Sequence, residues 1–579
     1  MTRSTILAAV VVVLSMGLNT GAVAQVVEPL LQQAVAASDP DDLLPVIVTL
    51  SARVNLKALV SPGMSKEERH DRVVAELRNR AAASLPTLVS SMQALGAIGI
   101  KRLWIINSVA AEIPARSVDD LALLPGVQSV RLDAAVQAPT PQSGTVATPE
   151  WNITKIRAPE LWNLGYLGQG VVVASLDTGV DVEHPDLAPR WRGGTNSWFD
   201  PYEGTVSPFD VSGHGTQVMG LIVGGDAGGT AIGVAPEAKW ISAKIFDNSG
   251  TAVLSNVHLG FQWTLDPDGN ALTEDFPDIV NASFGFTAPN DCNLEFQPDI
   301  AALKAAGIAV VVAAGNSGPA SATSTSPANY TESFAVGAID AGNIVANFSS
   351  RGASACDTTI FPEVVAPGSD VDTADLSFGG LPLYITVGGT SIAAPHVAGA
   401  MALLLSAFPD LVPAEMELGL QQSTLDIDPL GPDNDSGYGL IDVMEAFNQL
   451  GGPAPVDADG DGFVAEVDCN DTNPTIYPGA IEVKFDGVDQ DCNGYDLTIR
   501  ITKATYQARP DRLVVEAQSR LGRKAQLVVV GYGPMKWSAL FRKWYFIRSR
   551  IGGNPLAVTV SGIEGSEVAK TSTLLVQNR

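Results

Sequence analysis

Between Trp151 and Leu450 short apolar runs alternate with helical patterns, and this alternation restricts the fold more than any other feature. Val171–Leu176, Trp240–Ile245, Ile279–Ala282, Ile308–Ala313 and Phe334–Val336 read as buried strands. His214–Val223, Val253–Leu265, Pro298–Ala306 and Ser391–Phe408 read as the helices between them. Continuously apolar strands must be covered on both faces, which is the condition of a parallel sheet packed between helices. The expected fold class is therefore α/β, with any ligand at the carboxyl ends of the strands.

Charge divides the 579 residues into four segments of different character. Residues 25–150 are nearly neutral at −2, 151–450 carry −27, 451–496 carry −10 and 497–579 carry +10. The whole chain stands at −28, which argues against nucleic acid as a partner of the central segment. Beyond the first residues no run of 18 apolar residues occurs, so no membrane span is expected. The start itself, with Arg3, the apolar run Ile6–Leu14 and Ala22-Val23-Ala24, reads as a signal peptide over 1–24, and hence as a secreted protein.

Segment 25–138 reads as β-α-β-β-α-β, a ferredoxin-like α+β order. Its elements are Leu43–Leu50, Ser65–Leu95, Ile100–Ile106, Val109–Ile113, Val118–Leu123 and Val127–Leu132. Residues 139–150 are rich in Pro, Ser, Thr and Gly and read as an exposed linker with a processing site. A folded unit and a cleavable strap ahead of an acidic domain is the layout of a zymogen.

Three motifs in 151–450 acquire meaning together. Asp177 directly follows an apolar strand, His214 opens an apolar helix within Ser212-Gly-His-Gly-Thr216, and Ser391 follows Gly388-Gly389 at a helix start. Singly, an Asp after a strand or a His at a helix start is ordinarily a turn or cap residue. Jointly they supply a nucleophile, the base that removes its proton and the carboxylate that orients the base. The chain order Asp…His…Ser is that of subtilisin and differs from chymotrypsin. Asn316, in Ala313-Ala-Gly-Asn-Ser-Gly318 past another strand, offers an amide to a developing oxyanion, with the Ser391 N–H as the second donor. One such donor is worth roughly 3–4 kcal/mol of transition-state stabilisation.

On Asp177-Thr-Gly-Val-Asp-Val-Glu-His-Pro-Asp-Leu187, Gly213-His-Gly-Thr216, Ala314-Gly-Asn-Ser-Gly318 and Gly389-Thr-Ser-Ile-Ala-Ala-Pro-His-Val-Ala-Gly399, the chain resembles the subtilisin-like serine peptidases. The resemblance implies peptide-bond hydrolysis through an acyl-enzyme, protein or peptide substrates, and 25–138 as an inhibitory propeptide. It further implies that Asn281–Gly285 is an edge strand, with Ser283, Phe284 and Gly285 pairing with an extended substrate. Ile392 stands where the family usually has methionine. His184 is expected near the Asp177 loop and His396 as a structural residue, while His70 and His258 receive no role.

In 451–496, Asp457, Asp459, Asp461 and Asp468 fall at positions 1, 3, 5 and 12 of a calcium-loop template, with Gly462 at position 6. Asp486, Asp489 and Asp491 form a second cluster of similar spacing. Carboxylates on a Gly-rich turn suit a hard cation, so structural Ca2+ is expected. Asp468-Cys-Asn-Asp471 and Tyr477-Pro-Gly-Ala480 resemble acidic metal-binding repeats of exported bacterial proteins. Four cysteines allow three pairings; proximity favours Cys469–Cys492, leaving Cys292–Cys356. Residues 497–579 carry alternating strands at Leu497–Ile501, Leu513–Ala517, Ala525–Val530, Trp544–Ile547 and Ala557–Val560, which suggest a small β-sandwich. Its positive charge suits contact with an anionic surface.

Two rival functions remain to be weighed. Asp177-Thr-Gly179 and Asp435-Ser-Gly437 could suggest an aspartic peptidase, but that chemistry needs two similar halves, which the alternation lacks. A non-enzymatic adhesin would not need Asp177, His214, Asn316 and Ser391 all intact.

Overall fold

The computed structural model describes residues 26–138, 142–143 and 151–452, except positions 62, 230, 272, 379–382 and 428, together with parts of 469–492 and most of 499–578. The proposed signal peptide lies outside the described residues. The chain divides into two compact units, Met1–Gly452 and Pro453–Arg579.

The first unit opens with α1 (Pro29–Ala36), β1 (Leu43–Leu50), α2 (Lys66–Ala94), β2 (Ile98–Leu103), β3 (Ser108–Pro114), α3 (Val118–Ala122) and β4 (Val127–Leu132). The sheet order β2-β3-β1-β4, with antiparallel pairing, matches the ferredoxin-like expectation. A reciprocal cap starts α2: Ser65 Oγ accepts from Glu68 N, and Ser65 N donates to Glu68 Oε2. The later turns of α2 bury Leu85, Leu88 and Met92 in this segment's own core. Its earlier Val73, Val74 and Leu77 join a core that also contains Phe261, Phe296 and Ile300. The N-terminal segment and the central region thus share one apolar core, which is why they form one unit.

Two short strands follow, β5 (Ala135–Gln137) and β6 (Gln142–Ser143). The central region then runs through α4 (Trp151–Lys155), α5 (Ala158–Asn163), β7 (Val172–Asp177), β8 (Trp198–Phe199), α6 (His214–Val223), β9 (Lys239–Lys244), β10 (Thr251–Val253), α7 (Leu254–Leu265) and β11 (Ile279–Ala282). It continues with α8 (Gln297–Ala305), β12 (Ala309–Ala313), β13 (Phe334–Ile339), β14 (Val364–Pro367), β15 (Val371–Ala374), β16 (Tyr384–Gly388), α9 (Thr390–Ala407), α10 (Pro413–Gln422) and α11 (Val443–Gln449). Seven strands form a parallel sheet in the order β14-β13-β12-β11-β7-β9-β8. The order reverses at β7, which has β9 on one side and β11 on the other. Such a switch point opens a crevice at the strand's carboxyl end, where Asp177 lies. Helix α9 is long and apolar enough to cross a bilayer, but 89% of it is buried inside the domain.

Among the described residues the second unit has nine strands: β17 (Ile499–Gln507), β18 (Arg512–Ser519), β19 (Gln526–Val529), β20 (Gly533–Pro534), β21 (Lys536–Ser538), β22 (Lys543–Ser549), β23 (Ala557–Ile563), β24 (Thr571–Leu575) and β25 (Gln577–Asn578). They form sheets β21-β22-β18-β17-β25 and β20-β19-β23-β24. Leu513, Val515 and Phe546 of one share a core with Leu527 and Val560 of the other, as the alternation predicts. Both disulfides pair as proximity suggests, Cys292–Cys356 and Cys469–Cys492.

Candidate active site

Asp177 and His214 meet at the carboxyl end of β7. Asp177 ends that strand, buried, and its Oδ1 accepts from Thr178 N at 2.7 Å. His214 begins α6, and its Nδ1 meets the same Oδ1 at 2.7 Å. This close approach of helix to loop requires Gly215, where a Cβ would lie 2.0 Å from the Gly179 carbonyl oxygen. The outer ring nitrogen, His214 Nε2, is buried and has no hydrogen-bond partner among the described residues. Burial alone would depress the imidazole pKa, but the charge and hydrogen bond of Asp177, with Asp210 behind, raise it above the ordinary value.

Ser391 lies in the first turn of α9, where backbone N–H groups have no intrahelical acceptor. Pro395 sits four residues on and has no N–H to give the Ser391 carbonyl. Ser283 Oγ takes that place, donating to Ser391 O at 3.0 Å. The next turn of the chain is oriented from β12: Asn316 Oδ1 accepts from Thr390 N at 2.9 Å and from Thr390 Oγ1 at 3.0 Å. With its oxygen held by Thr390, the amide nitrogen is left to donate. Asn316 and Ser391 line one cleft of about 320 Å³ with Ser283–Thr287. The described lining carries no charged side chain.

The structure corrects the edge-strand expectation for Asn281–Gly285. Asn281 and Ala282 lie inside the sheet, in β11 between β12 and β7, with all their backbone pairing on those neighbours. Only Ser283, Phe284 and Gly285 pass the strand end and reach the cleft. The Phe284 side chain is buried against Phe246, Phe261 and Phe296, so only its backbone can serve an extended ligand.

That pairing role is visible at a place sequence reading missed. β5 of the N-terminal segment pairs antiparallel with β10, in register Thr251↔Gln137 and Val253↔Ala135. Ala138 N then donates to Gly250 O at 2.7 Å, and Gln137 and Ala138 line the cleft. Downstream, β6 pairs with β16 and sets Gln142 opposite Gly388, three residues before Ser391. The described chain thus reaches the cleft at 138, and its next described residues, 142 and 143, pair with β16 close in sequence to the Ser391 turn.

Several other charged groups of the central region went unread in the sequence. Lys244, fully buried at the end of β9, donates from Nζ to Thr178 O at 2.6 Å. Burial lowers its pKa, opposed by Asp210, Asp200, Asp247 and Asp177. His258 is buried between Asp299, at 2.9 Å, and Glu295, at 2.6 Å. Desolvation opposes its charge, yet the two carboxylates push its pKa up to about 9. Arg131 of the N-terminal segment pairs with the same Glu295, and Lys66 with Asp278. Asp266, Asp268 and Asp275 bring carboxylate oxygens within 4.8 Å of one another, and Arg78 pairs with Asp266. The Asp-Pro-Asp-Gly-Asn run at 266–270 was the available signal for that cluster. His184 and His396 behave as expected: His184 Nδ1 accepts from Asp186 N, and buried His396 bonds Ile392 O and Asn152. His70 is buried, bonded to Leu265 O and stacked on Phe276.

Asp457, Asp459, Asp461, Asp468, Asp486, Asp489 and Asp491 lie outside the described residues.

Residues 168–439 match the subtilase family, and 468–496 match the Cu-binding MopE metal-binding motif. Bacillopeptidase F of Bacillus subtilis is 33% identical over 461 residues, which cover 72% of this chain and 31% of that protein. Subtilisin E of the same species is 33% identical over 351 residues, 60% of this chain and 82% of its own length. Subtilisin of Bacillus pumilus is 35% identical over 301 residues, 51% of this chain and 98% of its own. The chain belongs to the subtilase family, a family of serine-type endopeptidases of α/β fold. It spans about a third of bacillopeptidase F.

Proposed function

We propose that the protein is an exported serine endopeptidase, made as a self-processed precursor, in which Asp177, His214 and Ser391 are the catalytic triad. The observation that carries this reading is the 2.7 Å Asp177–His214 bond, with His214 Nε2 unpartnered among the described residues and the His214 helix α6 packed on the Ser391 helix α9. Ser391 Oγ attacks the scissile carbonyl as its proton passes to His214 Nε2. Asn316 Nδ2 and the Ser391 N–H bind the resulting oxyanion. His214 then protonates the leaving amine, and water hydrolyses the acyl-enzyme by the reverse proton path. Asp177 fixes the tautomer and stabilises the imidazolium. Ser283–Gly285 and Thr251–Val253 hold the substrate backbone.

Residues 1–24 are read as the export signal and 25–138 as the inhibitory segment, with the processed bond between 138 and 142. The β5–β10 pairing supports this, because it lays the segment's end in the cleft as an extended peptide. Replacing Ser391 by Ala tests the scheme: proteolysis of casein should vanish and residues 25–138 should stay attached. Normal processing in that variant refutes self-cleavage.

For 451–496 the proposed ion is calcium, held by the seven aspartates named above. The segment contains no histidine or methionine, and Cys469 and Cys492 are joined, so its donors are oxygens. Such a set suits a hard cation better than copper, which favours imidazole and sulfur.

A further inference from the structure

In the second unit, β21 and β22 form a hairpin with Lys536 opposite Tyr545, Trp537 opposite Trp544 and Ser538 opposite Lys543. Its four-residue turn is Ala539-Leu540-Phe541-Arg542, where such turns ordinarily use Gly, Asn, Asp or Pro. Leu540 is 85% exposed and Phe541 66%, the most exposed large apolar side chains described in this unit. Neither packs against the sandwich core. The turn is nevertheless fixed: Trp537 and Trp544 pack at 5.6 Å beneath it, Phe541 N–H reaches Ser538 Oγ, and Arg542 is left-handed at φ +48°.

Cations stand around this apex. Arg542 is in the turn, Lys543 Nζ lies 5.8 Å from the Phe541 ring, and exposed Lys536, Arg548 and Arg550 extend along the two strands. Glu516 of β18 pairs with Lys543 and Lys503. Below the apex, Tyr545 and Ile547 point outward from β22, while Trp544 and Phe546 point into the core. The outward face therefore runs from two apolar residues at the tip to an amphipathic tyrosine, edged by positive charge.

We propose that this hairpin docks the protein on an anionic lipid bilayer. Leu540 and Phe541 would enter the acyl boundary, with Tyr545 at head-group depth and Arg542, Lys543 and Lys536 on the phosphates. Charge complementarity selects this occupant, since the 497–579 segment carries +10 and the cations ring the apolar apex. A protein partner would need on the order of 800 Å² per side, far more than two projecting side chains supply. The proposal concerns the second unit and is independent of the peptidase chemistry.

The test uses the full chain carrying Ser391→Ala, so that proteolysis does not intervene, in co-sedimentation with vesicles. Vesicles of phosphatidylcholine with about one-third phosphatidylglycerol should bind it, and phosphatidylcholine alone should not. The double change Leu540→Ser, Phe541→Ser should lower partitioning at least about tenfold, as should Arg542→Gln with Lys543→Gln. Leu540, Phe541 and Arg542 lie in the exposed turn and Lys543 beside it, half-buried against Glu516, and near-ultraviolet circular dichroism checks that the sandwich persists. A Phe541→Trp probe should shift its fluorescence to the blue on anionic vesicles. Unchanged binding after loss of Leu540 and Phe541, equal binding to neutral vesicles, or binding to a DNA duplex without binding to vesicles would each overturn the proposal.

Discussion

Pro395 shows how single residues shape the proposed reaction centre. By withholding one N–H it opens the Ser391 carbonyl to Ser283, and so ties the nucleophile's turn to the cleft wall. Asn316 is locked in the same way through Thr390. Asn316→Ala should lower kcat by roughly 10²–10³ with little change in KM, the loss that one such donor causes in the relative subtilisin. A loss confined to KM would refute the role. The pH profile gives a second test at this scale. In the proposed mechanism His214 acts as a neutral base, and Asp177 raises its pKa, so the acid limb of kcat/KM should lie above that of an ordinary imidazole. Asp177→Asn removes both the charge and the correct acceptor: activity should fall roughly 10⁴-fold and the remaining acid limb should move to lower pH. Asp177, His214, Ser391 and Asn316 could be singled out as candidates because their residue types stand at strand and helix ends in an order that suits one chemistry. Lys244 and His258 could not, since a lone cation in an apolar run and a lone histidine in a helix gain meaning only from partners distant in sequence.

Elements were legible where an apolar run or stripe had clear ends. Ile279–Ala282, His214–Val223 and Val127–Leu132 fall where the sequence places them, because burial on both faces or one stripe fixes their ends. β8, with two residues, carries too little pattern to be read, the short run of β14 is interrupted by Pro362 before it and Pro367 at its end, and β5 exists only through its pairing with β10. β14 also carries a testable cost. Glu363 precedes it, buried, with one carboxylate oxygen accepting from Ala335 N at 2.7 Å. Burial pushes its pKa up to about 8 against the backbone bonds that favour the anion. An acid whose folded pKa is raised costs stability as pH climbs from about 4.5 to 8, because the unfolded chain ionises first. Glu363→Gln keeps the carbonyl acceptor and removes the titration. In the Ser391→Ala background it should raise the urea midpoint at pH 9 and leave it nearly unchanged at pH 5. A gain of the same size at both values would place the effect elsewhere.

At the scale of the whole molecule, the four charge segments compare with two compact units, because the first two segments share a core. The N-terminal segment places Arg131 on Glu295, beside His258 and Asp299, in a nearly closed polar site. Removing one partner of a buried pair costs roughly 3–5 kcal/mol. A 25–138 segment with Arg131→Gln should therefore inhibit the processed enzyme at least about 100-fold less tightly, read as Ki against casein. Equal Ki values would show that the apolar face of α2 alone holds the segment.

The acidic spacer gives the last expectation. Its net −10 in 46 residues opposes any compact form until a cation neutralises it, and the Cys469–Cys492 bond can only shorten the chain that must be ordered. Calcium at 100 times its dissociation constant would stabilise the folded spacer by roughly 2.7 kcal/mol, about a hundredfold in the population open to cleavage. Nicking between the two units by an added protease should accordingly accelerate on chelation in the full-length Ser391→Ala protein, and calcium should restore the slow rate. A control cleavage scored within 151–450 separates this from calcium bound there. If copper restores protection and calcium does not, the oxygen-donor argument fails; if neither matters, the spacer is an inert tether.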